Sequence, residues 1–138
     1  MPQEKVSLAV MGIDQHENGV IAVGRILREA QMSTHYLGKL LSPKQVVEGA
    51  IEHQADVIGI SCHSWEYLVL VPELIGELKQ RGLDIPVIIG GSVITPADSR
   101  TMKSQGVAAV FGAGSRDEDI VDEVRRLAHD GRGVRSEP

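Results

Sequence analysis

Short apolar runs alternate with segments of helical periodicity along this chain of 138 residues. The apolar runs show no regular alternation with polar residues, which is typical of strands that are buried on both faces of a sheet. An alternation of strands with helices predicts βαβ units and a parallel sheet with helices on both sides. The predicted strands span residues 6–13, 34–37, 56–61, 85–89 and 107–111, and the predicted helices span residues 20–30, 42–53, 71–80, 96–105 and 117–129.

The length of the chain fits one domain near the commonest size of globular domains. We expect residues 1–130 to form a single α/β domain of the flavodoxin-like, doubly wound (Rossmann-like) class, with five parallel strands and flanking helices. Residues 131–138 are expected to form a disordered tail. One helix start is marked clearly, because Ser42 followed by Pro43 combines an N-cap residue with a proline in the first turn.

Composition excludes several classes of partner. The formal net charge of −5 provides no basic surface for nucleic acid, and the lysines and arginines are scattered. The sequence has no apolar segment long enough to span a membrane and no signal peptide at its start. The one cysteine, Cys62, cannot form an internal disulfide, which favours a reducing compartment. We therefore expect a cytoplasmic protein that binds neither nucleic acid nor a membrane.

The most informative short motif follows the first predicted strand. A carboxylate two positions before a histidine can hold one ring nitrogen and make the other more basic, as a metal-ligating imidazole requires. Loops at this end of a strand are where open α/β sheets bind ligands. His16 is thus a candidate metal ligand oriented by Asp14, although His16 could be an ordinary loop residue and Asp14 could cap the next helix. The motif consists of Asp14, Gln15, His16, Glu17, Asn18 and Gly19.

Further candidate residues follow the third, fourth and fifth predicted strands. In a flavodoxin-like strand order, the first and third strands are neighbours, so His16 would face Ser61 and His63 across a crevice. Glycines in the two later loops would let a bulky ligand lie against the backbone, so a large residue at Gly91 is expected to block the ligand without unfolding the protein. Alternatively, the serine and glycines only complete turns, and His63 is only a satisfied polar residue. The candidates are Ser61, His63, Gly90, Gly91, Ser92, Phe111, Gly112, Gly114 and Ser115.

Three of these features together resemble the cobalamin-binding domain of adenosylcobalamin-dependent mutases and methionine synthase. They are the motif at residues 14–19, Ser61 at the end of the third strand, and Gly90-Gly91 at the end of the fourth. The sequence is similar to the carboxyl-terminal domain of methylmalonyl-CoA mutase and to separate small subunits of related acyl-CoA mutases. This likeness covers residues 5–127 and is carried by residues 71–75 (VPELI), 87–91 (VIIGG) and 106–114 (GVAAVFGAG).

The resemblance implies adenosylcobalamin as the cofactor, with His16 as the ligand to cobalt and Asp14 as its orienter. The nucleotide tail of the cofactor would lie between sheet and helices, near Ser61 and the glycine-lined loops. The resemblance also implies a separate large catalytic subunit that binds acyl-CoA, where the adenosyl radical starts a 1,2-rearrangement. The chain would then carry no catalytic residue of its own, act as part of an isomerase (a mutase), and be inactive alone. The loop at residues 63–67, with Trp65 and Tyr67, is the expected contact with that subunit.

Three positions depart from the usual pattern of acyl-CoA mutases. Glu17-Asn18 stands where Asp-Arg is usual, and His63 stands where leucine is usual. These departures leave the substrate and the partner open. The alternatives are the small subunit of an amino-acid mutase such as glutamate mutase, a corrinoid carrier for methyl transfer, and a cobalamin sensor or delivery protein.

Other proteins that share this fold class are disfavoured by the sequence. A phosphoacceptor receiver domain needs clustered acidic residues and a lysine after the fifth strand, which the chain lacks. A flavodoxin needs a hydroxyl-rich phosphate loop after the first strand and aromatic rings that stack on the flavin. A dinucleotide-binding domain needs Gly-x-Gly-x-x-Gly after that strand. The chain has the motif at residues 14–19 in this place instead. A metal site without cobalamin, built from His16, Cys62 and His63, is a further alternative.

Overall fold

The computed structural model describes residues 3–14, 16–112 and 114–135, with the backbone alone for residues 131–135. In this part of the chain, five strands alternate with five helices, as predicted. The strands are β1 (Lys5–Met11), β2 (Ser33–Leu41), β3 (Val57–Ser61), β4 (Val87–Gly90) and β5 (Ala109–Phe111). The helices are α1 (Asn18–Glu29), α2 (Pro43–Glu52), α3 (Tyr67–Gln80), α4 (Pro96–Ser104) and α5 (Asp117–Arg135).

The strands form one parallel sheet in the order β2-β1-β3-β4-β5. This is the flavodoxin-like order, so the predicted fold class is confirmed. The strand order reverses between the neighbouring strands β1 and β3, and ligands of such sheets bind in the crevice at that point. The fold therefore brings the loops after β1 and β3 together.

Successive residues of the central strand β1 enter two separate apolar cores. Leu8 and Val10 pack in one core with α1 and α5, whereas Ala9 and Met11 pack in the other core with α2 and α3. None of these four residues is more than 4% exposed. Because both faces of the strand are buried, its sequence is apolar without alternation, and this made the strand recognisable.

The register of the strands aligns candidate residues along the carboxyl edge of the sheet. Ser61 pairs with Gly90, and Gly90 pairs with Phe111. The loops that follow β3, β4 and β5 therefore open side by side.

The first two strands differ in length from the prediction. Strand β1 ends at Met11 because Gly12, at φ +71°, turns the chain, and Ile13 is 76% exposed. Strand β2 continues to Leu41, past the predicted end at residue 37. Shifts in its register with β1, and Gly38 at φ +122°, let the strand bend and still pair.

Helix α3 begins one turn earlier than predicted. The predicted start was residue 71, but the helix begins at Tyr67 and Pro72 lies inside it. Tyr67 and Val71 are both buried one helical turn apart, which stabilises the additional turn. Tyr67 is therefore a buried helical residue and does not belong to an exposed loop.

Helix α5 continues to Arg135, so residues 131–135 of the expected tail are helical. The two glycines of this segment lower helix propensity by only about 1 kcal/mol each, and no proline interrupts it. Residues 136–138 lie outside the described residues. Within the described residues, the helices include none that is both long and apolar enough to cross a membrane.

Candidate functional site

Asp14 links the two loops that leave the neighbouring strands β1 and β3. One carboxylate oxygen accepts a hydrogen bond from the His16 backbone N–H at 3.0 Å and lies 2.9 Å from His16 Nδ1. The other oxygen accepts a hydrogen bond from the His63 backbone N–H at 2.8 Å. The Asp14 side chain is 4% exposed, so these bonds satisfy a carboxylate that water barely reaches. Asp14 does not cap α1, whose N-cap residue is Glu17.

The environment of Asp14 favours its ionised form. Burial raises the pKa of this carboxyl, but the hydrogen bonds from His16 and His63 outweigh burial and hold the pKa below its ordinary value. An ionised carboxylate can only accept, so His16 Nδ1 donates to it, and in the neutral imidazole Nε2 then carries the lone pair. The His16 side chain is 73% exposed, and Nε2 has no hydrogen-bond partner among the residues that the structure describes. An oriented imidazole with an available lone pair can bind a metal.

His63 joins this arrangement to strand β3. Its Nε2 lies 2.9 Å from Ser61 Oγ, and its ring centroid lies 5.4 Å from that of His16. His63 was predicted to be either a satisfied polar residue or a ligand contact. It is hydrogen-bonded, and it also lines the cavity described next.

A cavity of about 200 Å³ lies at the carboxyl edge, between the sheet and helices α1 and α5. Glycine backbone and small polar side chains form one part of the lining, which we call the rim, and aliphatic side chains form the other part, which we call the inner wall. Such a lining suits an apolar or aromatic group that lies flat against the sheet. The candidate residues that line the cavity are Gly19, Ser61, His63, Gly90, Gly91, Phe111, Gly112, Gly114 and Ser115.

The inner wall of the cavity was missed by the sequence analysis. It includes Leu8, Val20, Val23, Ile88 and Ile120, whose sequence pattern is the same as that of ordinary core residues. One signal was available, because an isolated glycine inside a strand often marks a close approach. Gly59 in β3 is such a residue, and a Cβ atom there would lie 2.7 Å from a methyl group of Leu8.

Gly91 is required by the fold itself. A Cβ atom at Gly91 would lie 1.8 Å from the backbone oxygen of Cys62, and its φ of +153° disfavours other residues. The expectation that a large residue could replace Gly91 without structural damage is therefore wrong. Gly112 lines the same cavity, and a Cβ atom there would meet nothing within 4 Å among the described residues.

Five of the described candidate residues do not line the cavity. Ser92 and Asn18 are exposed, and the Glu17 side chain turns toward strand β2, where it contacts Tyr36 and Lys39. Gln15 lies outside the described residues. Asp14 and His16 lie beside the cavity through their contacts with His63.

Cys62 is a buried thiol and not a reactive one. Burial, together with the nearby Asp14 charge, raises its pKa to about 12, so the thiolate that binds metals is disfavoured. In the described part of the chain, no three His, Cys, Asp or Glu side chains converge on a common metal position. The alternative metal site that includes Cys62 therefore has no support, and a single exposed imidazole better suits a metal that a cofactor already holds.

Exposed apolar side chains lie on the loop after β1 and at the start of α3. Ile13, Trp65 and Val69, which we call the edge patch, are 76%, 60% and 61% exposed. The Ile13 backbone N–H donates to Glu66 Oε1 at 2.9 Å, which ties the first loop to the start of α3. Such a patch is typical of a surface that another molecule covers.

Solved structures share this fold. A cobalamin-binding protein from Desulfitobacterium hafniense aligns with a TM-score of 0.76 and 24% identity, over 90% of this chain and 58% of that chain. The receiver domain of a response regulator from Mycobacterium tuberculosis aligns with a TM-score of 0.68 and 21% identity, over 91% and 98% of the two chains. At these identities, both comparisons show the fold alone, and function has to be inferred from the residues of the site.

The sequence comparisons are more specific. The chain is 34% identical to the 2-hydroxyisobutanoyl-CoA mutase small subunit of Aquincola tertiaricarbonis, over 95% of this chain and 96% of that protein. It is 32% identical to the pivalyl-CoA mutase small subunit of Xanthobacter autotrophicus, over 95% and 88%. Ethylmalonyl-CoA mutase of Cereibacter sphaeroides is 36% identical, over 72% of this chain but 15% of that protein. The model of the B12 binding domain matches residues 4–125, and the chain therefore belongs to the B12-binding domain family.

Proposed function

We propose that this chain is the cobalamin-binding small subunit of an adenosylcobalamin-dependent carbon-skeleton mutase that acts on acyl-CoA esters. The observation that carries the proposal is the Asp14–His16 pair beside a glycine-rimmed cavity, in a chain of the B12-binding domain family. Support for a separate small subunit comes from relatives with that name that match almost end to end. The partner would be a large catalytic subunit that binds acyl-CoA.

The residues present fit such a cofactor. His16 would hold the cobalt ion of such a cofactor through Nε2, because this atom is exposed and available. The aromatic nucleotide tail needs apolar walls and close contact with backbone, and the cavity between β3, β4 and α1 offers both. Ser61 and His63 supply polar atoms at its rim.

Each group of this chain has a defined task in the proposed complex. Asp14 accepts a hydrogen bond from His16 Nδ1, which leaves Nε2 free to bind the metal. The apolar wall excludes water from the tail. When bound, adenosylcobalamin supplies the radical that starts the rearrangement, and the protein positions it. No described residue of this chain is assigned to the reaction itself.

The edge patch is the proposed contact with the large subunit. Ile13 lies three residues before His16, and its bond to Glu66 ties that loop to the start of α3, so a partner on the patch would lie close to a cofactor bound at His16. Trp65 gives this surface an aromatic residue of the kind that is enriched at interfaces. Tyr67, which is buried against the core, is not part of this contact.

The proposal is tested by reconstitution. The purified chain is mixed with adenosylcobalamin and a panel of acyl-CoA esters, with and without the co-purified large subunit, and isomerisation is followed by mass spectrometry. We expect turnover only in the complete mixture. Turnover by the isolated chain would overturn the small-subunit assignment, and a chain that binds no cobalamin would overturn the proposal as a whole.

A further inference from the structure

The side chain of Glu17 connects the His16 loop to the edge strand β2. Glu17 is the N-cap residue of α1, but its side chain makes no capping hydrogen bond. Instead, one carboxylate oxygen accepts a hydrogen bond from the Tyr36 hydroxyl, and the other lies 3.3 Å from Lys39 Nζ. We call these three residues the Glu17 clamp.

An irregularity in β2 makes the clamp possible. Residues three apart on a regular strand point to opposite faces, so Tyr36 and Lys39 would not reach one carboxylate. The register with β1 shifts directly after Tyr36, where Gly38 has a φ of +122° and Leu40 a φ of +60°. Bulges of this kind redirect side chains. Leu40 is 53% exposed, so burial of its side chain does not explain the strained backbone.

The clamp acts on helix α1, which forms one wall of the cavity. Glu17 follows His16 directly, and its backbone oxygen accepts the hydrogen bond from Ile21 that opens α1. The first two turns of α1 then supply Gly19, Val20 and Val23 to the cavity lining. Holding Glu17 on β2 therefore fixes both the cavity wall and one side of the His16 loop, while Asp14 fixes the other side.

Electrostatics agrees with a tight contact. The hydrogen bond from Tyr36, with help from Lys39, lowers the pKa of Glu17. Burial and the Glu17 hydrogen bond raise the pKa of Tyr36, so its hydroxyl stays protonated and donates.

We propose that Tyr36 and Lys39 are positioning residues that hold Glu17, and thereby keep the start of α1 and the His16 loop ready for the cofactor before it binds. The part of this inference that concerns the cofactor rests on the proposed function. Preorganisation of this kind improves affinity because less ordering is left for the binding step. It acts through Glu17 and needs no contact between β2 and the ligand.

The test uses the full chain with Tyr36→Phe, Lys39→Met, and each of these changes combined with Glu17→Ala. Amide hydrogen exchange of residues 18–23 is measured without cofactor, and cobalamin affinity is measured separately. Lys39→Arg should preserve the ion pair, and Arg126→Met, which removes exposed ion pairs on α5, is the matched control. We expect exchange to rise and affinity to fall by ~2- to 5-fold in Tyr36→Phe and Lys39→Met, with no further effect once Glu17 is alanine.

The two readouts separate the possible failures. Unchanged exchange in Tyr36→Phe and Lys39→Met would overturn the clamp, and so would faster exchange with unchanged cobalamin affinity. If exchange of residues 58–60 and 87–89 in the core strands rose equally, the effect would be global destabilisation and the inference would be wrong. An unaltered chain that fails to bind cobalamin would overturn the proposed function, while the exchange data still decide whether the clamp orders α1.

Discussion

At the scale of single residues, the site depends on Asp14. Its contact with His16 could be predicted from the sequence, because the two residues are close along the chain and one carboxylate can reach one imidazole. Its bond to the His63 backbone could not be predicted, since it joins residues 49 positions apart and depends on the pairing of β1 with β3. The motif thus revealed the pair but not the link between loops.

The first prediction concerns acid stability. The pKa of Asp14 in the folded protein lies below the unfolded value of ~3.9. The ionised carboxylate therefore stabilises the fold above that value, and the stabilisation is lost as pH falls through the folded-state pKa. We expect Asp14→Asn to lower the free energy of unfolding at neutral pH. In acid, the free energies of unfolding of the variant and the unaltered chain should differ less. Denaturant unfolding of both proteins, measured from neutral pH into acid, checks the prediction. A difference in free energy of unfolding that does not depend on pH would contradict it.

The second prediction concerns ligand binding by the same residue. Asp14→Asn should weaken cobalamin binding by ~10- to 100-fold, as is typical when the partner of a metal-ligating histidine is lost. Asp122→Asn, at an exposed position of α5, is the charge-matched control and should leave affinity unchanged. Spectroscopic titration measures both. Equal affinity in Asp14→Asn and the control would show that Asp14 does not orient the ligand.

At the scale of elements, the sequence predicted which segments are strands and helices better than where they begin. The start of α2 was marked by Ser42, which forms a capping box with Gln45. The start of α3 was predicted too late, because the packing of Tyr67 against the core extends the helix and the helical periodicity of the sequence does not show that packing. The cavity wall on β1 and α1 could not be told from core, since an apolar side chain looks the same in sequence whether protein or ligand covers it.

The third prediction uses the loop after β5. Gly112→Leu should fill open space beside the cavity and weaken binding of cobalamin, while binding of cobinamide, which lacks the nucleotide tail, should change little. Gly76→Leu on the exposed face of α3 is the control, because a Cβ atom there also meets nothing within 4 Å among the described residues. Parallel titrations with the two ligands test it. If Gly112→Leu binds cobalamin as tightly as the control does, the tail does not enter this cavity.

At the scale of the whole molecule, one sheet with its helices forms the proposed cofactor site. His16 and the edge patch are exposed, and in the proposed complex the large subunit would cover them. Receiver domains share this fold, so the fold alone does not indicate what the chain binds. Sequence motifs at strand ends therefore indicated more about function than the fold did.

The fourth prediction is that the edge patch binds the large subunit. Trp65→Ala should weaken association, because truncating an aromatic anchor at an interface commonly costs more than 1 kcal/mol. Ile51→Ala, on the exposed surface of α2, removes a comparable apolar side chain and should have little effect. Calorimetric titration of the cofactor-loaded chain with the large subunit compares them. Equal affinities would remove Trp65 from the interface without affecting the cofactor site.

The most direct test of the central claim is the electron resonance spectrum of Co(II) cobalamin bound to this chain. If His16 is the axial ligand, labelling the histidines with nitrogen-15 will change the superhyperfine splitting, and His16→Ala will abolish that response. His35→Ala, a change at a histidine on β2 that stacks on His53, will leave it intact. A bound-state spectrum that is the same with nitrogen-14 and nitrogen-15 histidine would contradict the account.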